Sequence, residues 1–118
     1  MDFKKWVTAL GFSAKDGSEG VFIKKYPNSR YALEVDFVKE SIGYGDLITC
    51  DSKTTQNFSQ SESFVVLECV DRLLTKGYKP QNIVLEKVYP SGHGTSGRLD
   101  ICVNREDGSP YLLIECKT

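Results

Sequence analysis

The spacing of apolar residues changes character several times along the chain. Phe3, Trp6, Val7 and Leu10 recur at the interval of one helix face, and Gly11 follows as a natural stop. This predicts a short N-terminal helix. From Val21 to Tyr26 and from Tyr31 to Val38 the runs are strand-like, with alternation in Tyr31, Leu33, Val35 and Phe37 and with Pro27-Asn28-Ser29 between them. They read as a β-hairpin. Asp46 to Cys50 is a candidate third strand, and the polar stretch from Asp51 to Gln60 has too few apolar side chains to be more than a connection.

Beyond that connection the helical period returns. Ser59-Gln60-Ser61-Glu62 has the Ser-x-x-Glu spacing of a capping box, and Phe64, Leu67, Val70, Leu73 and Leu74 continue as one face of an amphipathic helix. Gly77 ends it, with Pro80 just beyond. Three strands are then expected, over Ile83–Tyr89, Leu99–Asn104 and Tyr111–Cys116, the last two joined by a turn at Asp107-Gly108. The predicted order is therefore helix and hairpin over residues 1–58, then helix, strand and hairpin over 59–118. The whole is one compact α/β (α+β) domain.

Length and composition agree. A chain of 118 residues can bury one core but not two, and 40% hydrophobic with 26% charged residues is the balance of a soluble globular protein. Neither a membrane-length apolar run nor a secretory leader is visible, so the default expectation is a cytoplasmic protein. Fifteen basic against sixteen acidic side chains give a net charge of −1, which lacks the electrostatic footprint of a self-sufficient nucleic-acid binder. If DNA is the substrate, other parts must help to hold it. Cys50, Cys69, Cys102 and Cys116 form no CxxC pair, and read as free, buried thiols rather than a zinc or redox motif.

The chemistry concentrates at the end of the chain. Asp100 opens an apolar strand, and Glu115 and Lys117 close the next, two residues apart and so on one strand face. A tight hairpin brings Asp100 beside Glu115. Two carboxylates at the end of an apolar hairpin are costly unless a cation lies between them, and hard oxygen donors suit Mg²⁺, with Mn²⁺ able to substitute. Such an ion polarises a phosphate and acidifies a bound water, and the Lys117 ammonium would stabilise the charge that develops. A chance pairing of charges on edge strands is the competing explanation. Against it stands Tyr111-Leu112-Leu113-Ile114, a run that reads as buried on both faces and so leaves Glu115 hard to explain as a solvated charge.

Leu74-x-x-Gly77-Tyr78, Ile83-Val84-Leu85-Glu86, Gly97-Arg98-Leu99-Asp100-Ile101 and Leu113-Ile114-Glu115-Cys116-Lys117 together resemble the N-terminal nuclease domain of type I restriction enzyme R subunits and related restriction-modification proteins. This is a branch of the PD-(D/E)xK superfamily. The resemblance covers about residues 61–118. It implies a restriction-endonuclease-like core of a helix and a mixed sheet, with Asp100 and Glu115 as metal ligands and Lys117 as the catalytic lysine. A further acid from the helix often completes such sites, and Glu62 and Glu68 both qualify by position. Leu99 stands where the superfamily's name has proline. The chain stops directly after the lysine, before the helix that normally follows, so a fragment of a longer protein is expected. Residues 1–58 would be an addition beside the core.

The resulting expectation is a Mg²⁺-dependent endonuclease module acting on double-stranded DNA, with further domains or subunits of a restriction-modification complex as partners. Its runner-up is a non-catalytic scaffold of the same fold that binds DNA or other subunits. A third reading is a repair or junction-resolving nuclease. Three other signals carry less. Gly92-His93-Gly94-Thr95-Ser96-Gly97 spells GxGxxG, but a strand rather than a helix is expected after it, which removes the dinucleotide reading. It reads as a loop near the site, where Arg98 could touch a phosphate. His93 is a candidate general base only because it lies in that loop. Lys24, Lys25, Lys76, Lys79 and Lys87 read as a solvated surface.

Overall fold

A computed structural model of the chain describes residues 2–27, 31–52, 56–90 and 96–117. Among the described residues the architecture is a small mixed α/β domain with two sheets and two α-helices. Helix α1, Phe3–Ala9, starts where the Asp2 carboxylate accepts from the backbone amides of Lys4 and Lys5 at 3.0 and 3.2 Å. Gly11 follows it at φ 102°, a conformation only glycine adopts cheaply.

The first sheet is antiparallel throughout, in the order β1 (Ser13–Ala14), β2 (Val21–Tyr26), β3 (Tyr31–Asp36) and β4 (Ser41–Gly43). The alternation read from sequence holds, since Tyr31, Leu33 and Val35 are buried. The strand ends two residues early. Asp36 Oδ1 accepts from the amides of Val38 and Lys39 at 2.9 Å each, and this local turn competes with the ladder and leaves Val38 in solvent.

The second sheet is mixed, in the order β5 (Thr49–Cys50), β6 (Ile83–Pro90), β7 (Ser96–Asn104) and β8 (Pro110–Ile114). β5 runs parallel to β6 and the other pairs are antiparallel. Of the strand expected over Asp46–Cys50, only Thr49–Cys50 forms. The Ile48 amide donates to the Tyr31 hydroxyl at 3.2 Å, and that hydroxyl in turn donates to the Tyr44 carbonyl, so this backbone is satisfied outside a ladder. The last strand of the 1–58 segment therefore belongs to the sheet of the second half.

Helix α2, Glu62–Thr75, is buried along more than one stripe, at Ser63, Phe64, Val66, Leu67, Val70, Asp71, Leu73 and Leu74. Phe64 stacks on Phe3 of α1 with centroids 3.7 Å apart. Asp71 turns toward the first sheet, where it accepts from Tyr26 Oη and pairs with Lys24 Nζ, both at 2.6 Å. Lys24 also donates to the Leu10 carbonyl at 2.6 Å, so it is an internal tether rather than the solvated lysine expected. The expected capping box does not form: Ser61 is the N-cap and makes no side-chain cap bond, while Ser59 turns back through its amide and hydroxyl to Asn57 Oδ1. Among the described residues no helix is long and apolar enough to cross a membrane.

Candidate functional site

The β7–β8 hairpin is closed by a compact turn. Gly108 at φ 88° donates to the Arg105 carbonyl at 2.9 Å, Arg105 N–H donates to the Ser109 carbonyl at 2.8 Å, and Asp107 Oδ1 accepts from Ser109 N and Oγ. The register pairs Ile101 with Ile114, Cys102 with Leu113 and Val103 with Leu112. The ladder ends at the Ile101–Ile114 pair, and Asp100 and Glu115 are the next residues beyond it.

Residues 115–117 lie past the last ladder pair, and a side chain holds them. The backbone N–H of Cys116 donates to Asp100 Oδ2 at 2.8 Å. Alternation persists through this segment: Glu115 and Lys117 are exposed, and Cys116 between them is buried. Asp100 is half-buried. β8 itself is the edge of its sheet, so the expectation of burial on both faces fails, with Tyr111 56% and Leu113 60% exposed. An apolar run signals strand and hydrophobicity, but cannot by itself say how many faces are covered.

Helix α2 forms the other wall. A cleft of about 260 Å³ is lined by Val65, Glu68, Cys69 and Arg72 of the helix and by Ile114 to Lys117. The Cys116 thiol is held well above its ordinary range, chiefly because it donates to the Cys69 sulfur, then by burial and by the negative charges of Cys69, Asp100 and Glu62. Cys69 is correspondingly lowered to about 7 by the hydrogen bond from Cys116, burial opposing and Arg72 assisting. Of the two helix acids left open by the sequence, Glu62 thus shares the neighbourhood of Cys116 with Asp100. Glu68 lines the cleft beside Glu115 and Lys117 and pairs with Arg72 at 3.5 Å.

A residue that sequence reasoning gave no role stands next to these. Glu86 is 2% exposed and sits at φ 52° in the middle of β6, a left-handed conformation that is costly for a glutamate. The pairs Leu85–Ile101 and Lys87–Leu99 bracket it, so it lies opposite Asp100. Glu86 and Asp100 are therefore neighbours across β6 and β7, and Glu115 follows directly on the end of β8, on the other side of Asp100. Arg98, whose contact with a phosphate the sequence allowed, lies 3.6 Å from Glu86 Oε1 and donates to Ser52 Oγ at 3.4 Å. The signal for Glu86 was present in the sequence as an acid directly after Ile-Val-Leu.

Among the described residues no three or more His, Cys, Asp or Glu side chains converge closely enough to ligate an ion by themselves. Mg²⁺ does not require that, since it commonly takes one or two carboxylates and keeps several waters. Asp100 and Glu115 fit such a two-carboxylate set, in oxygen hardness and in their cross-strand placement. His93 and residues 92–95 of the GxGxxG stretch lie outside the described residues. Its last two, Ser96 and Gly97, belong to β7, so a strand follows the motif rather than the helix a dinucleotide site needs. No family model, curated protein or solved structure matches the chain.

Proposed function

We propose that this domain is a Mg²⁺-dependent DNA endonuclease module of the PD-(D/E)xK kind, akin to the nuclease domain of type I restriction R subunits. The observation that carries the reading is the bond from Cys116 N–H to Asp100, which ties the Glu-x-Lys segment to the one acid the motif requires. The helix–strand–hairpin order of the second half and the mixed sheet also support it.

In this reading Asp100 and Glu115 hold the ion, which when bound supplies Lewis acidity toward a phosphate oxygen and a more acidic water. Asp100, half-buried and fixed by its bond to Cys116, is a preorganised ligand, whereas exposed Glu115 can adjust to ion and substrate. Lys117 shares the exposed side of the segment with Glu115 and presents its ammonium to the phosphate, where it offsets negative charge in the transition state.

Calorimetric titration with Mn²⁺ tests the metal part. The wild-type chain should bind, and an Asp100→Ala, Glu115→Ala double variant should not. Equal binding by the two would sink the assignment, and a folded wild type with no affinity for the ion would favour a scaffold of the same fold.

A further inference from the structure

The thiols of Cys69 and Cys116 have no part in the proposed chemistry, yet the fold brings them together. Cys69 is half-buried on α2 and Cys116 is buried just past β8. Both line the same cleft, Cys69 from the helix wall and Cys116 from the opposite wall, close enough that each thiol shifts the proton affinity of the other. The other two cysteines are engaged elsewhere, Cys50 in β5 and Cys102 in β7, where its thiol donates to Asn104 Oδ1 at 3.3 Å.

We propose that Cys69 and Cys116 are a vicinal dithiol that closes to a disulfide when a low-molecular-weight disulfide enters the cleft between α2 and the Glu115–Lys117 segment. Closure needs a sulfur–sulfur distance of about 2.0 Å and Cβ atoms about 3.5–4.5 Å apart. The shift that closure requires falls on a segment that lies past the last ladder pair, held to β7 through the Cys116 amide.

The half-buried Cys69 is the thiol that reacts first. Its sulfur, having lost its proton, displaces one half of the incoming disulfide, forming a mixed disulfide and releasing the first small thiolate, which takes up a proton. The Cys116 sulfur then attacks the Cys69 sulfur, the mixed disulfide breaks, and the second small thiol leaves with the proton from Cys116. The protein loses two electrons and two protons, and one small disulfide becomes two thiols. The bridge would pin the residue between Glu115 and Lys117 to α2, and so fix the cleft in one shape.

The proposal does not depend on the nuclease reading, and its test needs no activity. The folded chain is incubated with oxidised glutathione, the remaining thiols are alkylated, and the protein is digested with trypsin without reduction. The peptide ending at Arg72 should be joined to the one ending at Lys117, free thiols should fall from the original four to two, and reductant should restore them. A Cys116→Ser variant should stop at a glutathione adduct on Cys69. Cys69→Ser should leave Cys116 unmodified under the same conditions. A lasting adduct on wild-type Cys69 without a bridge, a link through Cys50 or Cys102, or four free thiols after treatment would overturn the proposal.

Discussion

Asp100 holds Cys116 from across the hairpin, the aspartate Oδ2 accepting the cysteine's backbone N–H at 2.8 Å. Because that bond falls just outside the β7–β8 ladder, a side chain rather than the sheet sets the position of the Glu115–Lys117 segment. Asp100→Asn retains an acceptor and should keep the Cys116 amide protected from hydrogen exchange, while Asp100→Ala should expose it at a cost of about 1–2 kcal/mol. Both variants should lose Mn²⁺ affinity. Equal amide protection in the two would mean that the segment is held by something other than this carboxylate.

The network of Tyr26, Lys24 and Asp71 makes a second prediction, about stability. Asp71 is 6% exposed and joins α2 to β2 and, through Lys24, to the end of α1. Asp71→Ala strands a hydroxyl and an ammonium that can only partly regain water, and should destabilise by about 2–3 kcal/mol. Tyr26→Phe should cost about 1 kcal/mol, the loss of one hydrogen bond. Urea denaturation of the two variants measures both, and an Asp71→Ala protein as stable as wild type would show that the network is incidental.

Much of this fold was legible because period and punctuation agreed. Phe64, Leu67, Val70 and Leu74 could only share a helix face, and Tyr31, Leu33 and Val35 only a strand face. What escaped reading depended on distant partners. The candidate strand Asp46–Cys50 shortens to Thr49–Cys50, whose parallel partners in β6, Val84 and Leu85, lie far along the chain, and Ile48 is drawn out of it by the Tyr31 hydroxyl. Lys24 looks like any surface lysine until α2 supplies Asp71. In the candidate site, the turn at Asp107-Gly108 and the two apolar runs around it predicted the hairpin that carries Asp100 and leads into Glu115 and Lys117. The acid after Ile83-Val84-Leu85 hinted at Glu86, but its left-handed backbone was not legible, because that conformation at a glutamate has no sequence signature.

Alkaline pH should weaken the fold through its buried tyrosines. The hydroxyls of Tyr26, Tyr31 and Tyr44 are all pushed up, in each case first by burial, and for Tyr26 also by its bond to Asp71. A raised folded pKa means that the unfolded chain releases these protons first, near pH 10, while the folded chain keeps them. Their contribution is therefore fully present below about pH 10 and declines above it. The urea midpoint should fall as pH passes 10, with tyrosinate absorbance from these residues appearing only on unfolding. Complete tyrosine ionisation in a still-folded protein would contradict the burial described.

The most direct test of the nuclease reading is the rate at which supercoiled plasmid is nicked in Mg²⁺ at low ionic strength, comparing the wild-type chain with Lys117→Ala. Lys117 is exposed and lies beyond β8, so the variant should fold normally by circular dichroism and should still bind Mn²⁺. Losing one preorganised positive group where negative charge develops commonly lowers a rate on the order of 10²–10³-fold. The account predicts metal-dependent nicking by the wild type and a loss of that size in Lys117→Ala. A folded, metal-binding Lys117→Ala protein that nicks at the wild-type rate would contradict it.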